Sequence, residues 1–277
     1  MIIKEVECGT AITKSKSPGA DYVVNSYTGC THKCIYCYAE YMKKFTNHSA
    51  EEWGEFIDIK VFDKIKIPKD IENKHVLISS VTDPYNFCEM KYEKTKQILE
   101  ELKGIDCHVE ILTKSKNVLR DVELFRQFKS IEVGVSLNTV DDDFRKSTEP
   151  RASSVEDRID VLKTLRENSI RNYLSISPIF PYLTDCGKII EQTRDFVDYY
   201  GFENLNIRSE YKAKVLDLIK QNYGGNLHND YINIYKSNNP IYWNFYWKKL
   251  EKEIVDYCEK NSIKYKMFFY HEKIRKK

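Results

Sequence analysis

Short runs of β-branched residues alternate along the chain with stretches whose apolar residues recur at helical spacing. The runs predict strands over Asp21–Tyr27, Glu55–Val61, His75–Val81, His108–Leu112, Ile131–Leu137, Tyr173–Pro178 and Leu205–Arg208. The stretches predict helices over Lys91–Lys103, Asn117–Phe128, Val155–Glu167, Gly187–Tyr200 and Glu210–Tyr223. Repeated strand–helix units of this length are typical of βαβ folds, so the pattern predicts an α/β protein with a parallel sheet or barrel.

The last part of the chain breaks this alternation. Pro240 after Asn239 is a favourable helix start, and the apolar spacing continues the helix to about Lys260. A strand over Lys264–Tyr270 is predicted to follow. One apolar stripe runs along this helix, formed by Trp243, Trp247, Leu250, Ile254 and Tyr257. A stripe at helical spacing more often packs into a core than stacks on bases, so we interpret it as core. We expect residues 1–225 to form the core domain and residues 226–277 to pack on it without forming a second domain.

Composition narrows the class of protein. The chain has 277 residues, 42% hydrophobic and 31% charged, which excludes disordered, collagen-like and coiled-coil proteins. No apolar run approaches the roughly 18 residues of a membrane span. The first residues lack the basic start and apolar stretch of a secretory signal, so a cytoplasmic location is expected.

Charge is unevenly distributed along the chain. The net charge is +2, but residues 201–277 carry 15 Lys and Arg against 9 Asp and Glu. Such a moderate excess permits an anionic partner such as nucleic acid, yet it falls short of a polybasic arm. A solvated surface with a basic tail at Lys273 to Lys277 is the simpler interpretation.

Three of the eight cysteines, Cys30, Cys34 and Cys37, fall within eight residues after the first predicted strand. Thiolates this close in an intracellular protein indicate metal binding, redox chemistry or coincidence. Structural zinc needs four ligands, no second C-x-x-C pair exists, and His32 lies awkwardly between two of the cysteines. A thioredoxin-like pair would leave Cys30 unexplained. Three thiolates suit a [4Fe–4S] cluster with one iron open to a small molecule.

The C-x3-C-x2-C spacing, on a loop after the first strand of an alternating α/β chain and with Tyr36 before the third cysteine, resembles the radical S-adenosylmethionine (SAM) superfamily. Further short segments resemble its spore-photoproduct-lyase-like, DNA-repair-photolyase-related branch, in the same order. They span residues 25–30, 53–60, 79–85, 112–121, 135–139, 149–158 and 176–181. This resemblance implies a partial (β/α)6 barrel over the core domain, open on one side, with the cluster at the carboxyl ends of the strands.

The resemblance also implies an activity. The protein would cleave SAM reductively at a [4Fe–4S] cluster on the three cysteines, and the 5′-deoxyadenosyl radical would abstract hydrogen from a substrate. An external one-electron reductant of the flavodoxin or ferredoxin type would supply the electron. The substrate stays open among nucleic acid, peptide and small metabolite. The competing hypothesis is a non-catalytic sensor or interaction protein that binds zinc or an iron–sulfur cluster.

Six residues are expected to line the SAM pocket, five of them at predicted strand ends: Tyr36, Thr82, Asp83, Lys114, Ser136 and Asn138. A carboxylate or Thr hydroxyl suits the amino group of SAM, Lys suits its carboxylate, and Ser or Asn suits the ribose hydroxyls. Each could instead make an ordinary loop hydrogen bond. For Glu149 and Arg158 we favour a structural ion pair.

The chain departs from the spore photoproduct lyases at one position. Those enzymes carry a cysteine near the place of Ser80 and Val81, where it donates a hydrogen atom, whereas this chain has Ser79, Ser80 and Val81. Cys88, a few residues on, is a weak candidate for that catalytic role because its loop position differs. Repair of the spore photoproduct itself is therefore not expected.

Overall fold

Most of the predicted strands join one sheet. The computed structural model describes residues 1–16, 19–207, 211–235 and 240–269. Its strands are β1 (Ile2–Glu7), β2 (Ile12–Lys14), β3 (Tyr22–Val24), β4 (Tyr27–Gly29), β5 (Phe56–Val61), β6 (His75–Ile78), β7 (His108–Thr113), β8 (Ile131–Ser136), β9 (Arg171–Ile179), β10 (Tyr199–Asn204) and β11 (Tyr265–Met267). Its α-helices are α1 (Glu89–Tyr92), α2 (Lys94–Leu102), α3 (Val122–Phe125), α4 (Asp142–Thr148), α5 (Val155–Glu167), α6 (Cys186–Thr193), α7 (Tyr211–Ile234) and α8 (Pro240–Lys260). Segments Tyr38–Phe45 and Lys116–Asp121 form 3₁₀ helices.

The main sheet has the strand order β11-β10-β9-β8-β7-β6-β3-β2. All neighbours from β3 to β11 pair in parallel, and β2 alone is antiparallel. Six strands, β3 and β6 to β10, follow one another in chain order, and helices lie between most of them. The α/β class with a parallel sheet and outer helices is therefore confirmed. The carboxyl ends of parallel strands meet at one edge, so the loops that follow these strands gather there.

A second sheet, with the order β1-β5-β4, was not predicted. The predicted strand Glu55–Val61 exists as β5, but it pairs with β1 and β4 and not with the main sheet. The predicted strand Asp21–Tyr27 is wrong as one unit, since β3 belongs to the main sheet and β4 to the small one. The strand is interrupted at Asn25 and Ser26, and the side-chain carbonyl of Asn25 accepts hydrogen bonds from the amides of Ser80 and Val81.

The predicted bounds of the last helix and strand before residue 208 are also wrong. The strand expected at Leu205–Arg208 is β10, which lies earlier, and Arg208 lies outside the described residues. The helix expected to reach Tyr200 ends at Thr193, whose hydroxyl lies 2.9 Å from the hydroxyl of Tyr200. Aromatic residues favour strands, and Tyr199 and Tyr200 pair with β9.

The predicted starts of two helices agree with the structure, whereas the helix predicted over Asn117–Phe128 is a 3₁₀ helix followed by the short α3. Helix α5 has the predicted bounds, and Ser154 caps it in a reciprocal capping box with Asp157. The C-terminal helix is α8, and its stripe is core: Trp247 and Ile254 are buried, and the other three residues pack against the core. Strand β11 adds to the main sheet beside β10.

Asn239 and the tail from Lys273 lie outside the described residues, as does Tyr270. The domain boundary at 225 stays a prediction. Within the described ranges, no helix combines the length and apolar character that a membrane crossing requires.

Candidate active site

The three clustered cysteines lie on the loop between β4 and the first 3₁₀ helix. Cys30 is buried, while Cys34 and Cys37 are partly exposed, and all three thiols are free. Burial raises the pKa of Cys30 to about 12, with further increases from Asp83 and Cys37. Burial also raises the pKa of Cys34, and Cys30 and Cys37 add to that increase. All three thiols are thus carried by one eight-residue segment of the chain.

The rest of the protein fixes the shape of this loop. The Lys33 ammonium lies 2.6 Å from a Glu55 carboxylate oxygen, and Gly54 packs so tightly on Lys33 that a Cβ there would lie 2.6 Å from it. The amide of Ile35 donates to the carbonyl of Thr148 at 3.0 Å. Contacts with two distant parts of the chain therefore fix the conformation of the loop.

Thr82 and Asp83, which follow β6, reach the same loop. The Thr82 hydroxyl donates to the Gly29 carbonyl at 2.5 Å. The buried Asp83 carboxylate accepts from the Thr113 hydroxyl and the Lys114 amide, and it lies 3.0 Å from His32 Nε2. Burial alone would raise the pKa of Asp83, but His32 and these hydrogen bonds lower it to about 2. Asp83 therefore joins the cysteine loop to the end of β7 as an ionised group.

A buried charge cluster stands beside Cys34. Arg158 Nη2 pairs with Glu149, both side chains are fully buried, and the Tyr36 hydroxyl donates to the other oxygen of Glu149. Arg158 also donates to the Ser136 carbonyl at 2.9 Å. The structural ion pair favoured from the sequence is confirmed.

Lys114 brings a positive charge to this cluster. Its Nζ lies 5.9 Å from the centre of the Tyr36 ring. Burial lowers the pKa of Lys114, but Glu149 and Cys34 raise it by more than burial lowers it. The pKa of Lys114 is therefore above its usual value. A charged ammonium therefore stands near the cysteine loop, where it could meet an anionic group of a ligand.

Ser136 and Asn138 lie at the end of β8. The Ser136 hydroxyl donates to the Ser177 carbonyl at 3.0 Å. Asn138 is fully buried, and within the described residues neither atom of its side-chain amide has a hydrogen-bond partner. Unpaired buried polar groups are costly, which makes Asn138 a candidate for hydrogen bonding to a bound ligand. Ribose hydroxyls, which donate and accept, fit such an amide.

Cys88 packs in a different apolar cluster from Cys30. It is buried in an apolar cluster with Tyr27, Ile57 and Ile59, whereas Cys30 packs in a different cluster that includes Trp53. Its role as a hydrogen-atom donor stays a prediction. Sequence reasoning missed His32 as the partner of Asp83, although its place inside the cysteine motif was a usable signal.

A family model described as the Radical SAM superfamily matches residues 24–196. The matched range is more than half of the chain and contains all three clustered cysteines and the six residues expected to line the pocket. The chain belongs to the radical SAM superfamily. This membership confirms the resemblance found in the sequence, and it implies an enzyme that uses an iron–sulfur cluster and SAM.

Relatives of this radical SAM protein include uncharacterised proteins. One from Methanocaldococcus jannaschii is 42% identical over 227 residues, which cover 80% of this chain and 83% of the relative. One from Mycobacterium tuberculosis is 26% identical over 203 residues, covering 68% of this chain and 59% of the relative. Among solved structures, a point mutant of spore photoproduct lyase with dinucleoside spore photoproduct superposes with a TM-score of 0.57 at 16% identity, over 80% of this chain and 66% of that one. Similarity at that identity shows the shared fold.

Proposed function

We propose that Cys30, Cys34 and Cys37 hold a [4Fe–4S] cluster whose fourth iron binds SAM. The observation that carries the proposal is the presence of three free cysteines on one anchored loop of eight residues, with no fourth cysteine in the motif. When bound, the cluster would supply one-electron reduction of SAM, and SAM would supply the radical chemistry for hydrogen abstraction from the substrate. A one-electron donor of the flavodoxin or ferredoxin type would serve as the external reductant.

The protein's own residues would bind and orient SAM. Lys114, charged and beside Cys34, is proposed to pair with the carboxylate of SAM, and the unpaired amide of Asn138 to bind its ribose. Tyr36, fixed by Glu149, would form one wall of the pocket. Thr82, Asp83 and Ser136 are proposed to line the rest, and their contacts within the protein keep the loop and strand ends in place.

Product analysis tests this function. Protein reconstituted anaerobically with iron and sulfide, then given SAM and dithionite, should form 5′-deoxyadenosine and methionine, detectable by chromatography. A protein that instead carries one equivalent of zinc and forms no 5′-deoxyadenosine would favour the sensor hypothesis.

Replacing Lys114 with Met should weaken SAM binding by about 1–3 kcal/mol, because a charge-assisted contact out of bulk water is lost. Calorimetric titration of reconstituted protein with SAM measures this. The matched control is Lys116→Met, which removes an exposed ammonium that pairs with Asp157 at 3.0 Å. Unchanged affinity in Lys114→Met, or an equal loss in the control, would rule out the proposed role.

A further inference from the structure

An exposed aromatic stripe begins at the residue after the third cysteine. Tyr38, Tyr41 and Phe45 are 57%, 48% and 74% exposed, and they recur along the 3₁₀ helix Tyr38–Phe45. The rings of Tyr41 and Phe45 lie 6.4 Å apart, edge to face. Contiguous apolar side chains on a surface mark interaction sites, so we expect a binding partner to cover this stripe.

The opposite side of the same 3₁₀ helix is fixed to the protein. Ala39 is buried, and Met42 packs against the cluster formed by Trp53 and Phe56. Glu40 pairs with Lys214 of α7 at 3.1 Å. The aromatic side chains therefore project from a supported segment. A further aromatic residue, Phe87, is 68% exposed, and its amide donates to the Thr31 hydroxyl of the cysteine loop.

Two lysines within the stripe have no acidic partner among the described residues. Lys43 and Lys44 lie between Tyr41 and Phe45 along the helix, and within the described residues neither makes an ion pair. The nearby carboxylates of Glu40, Glu51, Glu52 and Glu55 each face a basic side chain. Two unpaired ammonium groups among exposed aromatic rings favour an anionic partner.

We infer that this aromatic–lysine face (Tyr38, Tyr41, Lys43, Lys44 and Phe45) docks an acidic one-electron carrier protein of the ferredoxin or flavodoxin type. The inference rests on the proposed function. The reduced carrier gives up one electron and is oxidised, and the cluster accepts that electron and is reduced. No bond is made or broken, and no proton is transferred. Tyr38 is joined covalently to the ligand Cys37, so a carrier seated here approaches the cluster through a single residue.

The physical chemistry of electron-transfer complexes fits this surface. Such complexes bury little area, and complementary charge speeds their formation more than it tightens them. Aromatic side chains are enriched in the contact core. Aromatic rings with lysines also suit single-stranded nucleic acid, but that ligand needs a basic groove along its backbone, and this face offers two unpaired lysines. The position beside Cys37 favours the carrier.

Stopped-flow reduction of the reconstituted protein by reduced flavodoxin tests the inference. At low ionic strength the double variant Lys43→Glu/Lys44→Glu should react at least about tenfold more slowly, with the difference shrinking in about 0.5 M salt as charges are screened. Tyr41→Ala/Phe45→Ala should also slow the reaction, with little change in its salt dependence. Reduced methyl viologen, a small cation, should not reduce the charge variant more slowly than the parent protein.

The matched control is Lys248→Glu/Lys249→Glu on α8, which makes the same charge change at exposed lysines near the exposed Phe245. An equal slowing in this control, or unchanged flavodoxin rates in the Lys43/Lys44 variant, would overturn the inference. A fluorescence anisotropy titration of protein without cluster against labelled oxidised flavodoxin and a labelled single-stranded oligonucleotide provides a second measurement. Charge-dependent flavodoxin binding supports the inference, and tight oligonucleotide binding lost in the variant overturns it. Failure of the proposed function would appear separately, as a protein with no reducible cluster.

Discussion

Replacing any one of Cys30, Cys34 or Cys37 with Ala should abolish both the broad visible absorption of reconstituted protein and the formation of 5′-deoxyadenosine. Each thiolate is proposed to bind a different iron, and the motif offers no spare cysteine to replace it. Iron and sulfide content, visible spectra and chromatography of the products measure the loss.

Cys8→Ser is the matched control, because Cys8 is also free and partly exposed, with its thiol 3.7 Å from the Thr10 carbonyl. This variant should keep the cluster and the activity. Full clusters in the three Ala variants, together with a lost cluster in Cys88→Ala or Cys107→Ala, would disprove the ligand assignment.

Replacing Arg158 with Met should lower the free energy of unfolding by roughly 3–5 kcal/mol, because it leaves the Glu149 carboxylate fully buried without its partner. The change also removes donors to the carbonyls of Ser136 and Ser153. Urea unfolding followed by circular dichroism measures the loss.

A second Arg→Met substitution on the same helix shows how much of the lost stability depends on the burial of the ion pair. Arg166→Met breaks an exposed pair with Asp198 and should cost no more than about 1 kcal/mol. Adding Glu149→Gln to Arg158→Met should restore part of the loss, because the uncompensated charge disappears. Equal costs at Arg158 and Arg166, or no recovery in the double variant, would contradict the account of this ion pair.

Local signals in the sequence predicted much of the fold, and long-range pairing explains what they missed. Helix α5 was predicted within its bounds because Ser154 and the apolar spacing are local. The residues of β5 predict a strand equally well in either sheet, so only its hydrogen bonds with β1 and β4 decide where it lies. Tyr199 and Tyr200 could continue an apolar helix or start a strand, and pairing with β9 decides it.

The same distinction holds at the candidate site. The cysteine spacing is local and was visible, whereas the contacts of Asp83 with His32 and Thr113 join residues 51 and 30 positions away along the chain. A surface that interleaves basic and aromatic side chains is harder to recognise from the sequence. The segment from Tyr38 to Phe45 has that composition, but its exposed face becomes evident only when the buried positions of Ala39 and Met42 are known.

Mössbauer spectroscopy of protein reconstituted with ⁵⁷Fe, recorded with and without SAM, tests the central claim most directly. The account predicts four irons per chain in a [4Fe–4S] cluster and a change in the signal of one iron when SAM is added, since one position is open. A four-iron spectrum that SAM leaves unchanged, or a protein that binds zinc in place of iron, would contradict it.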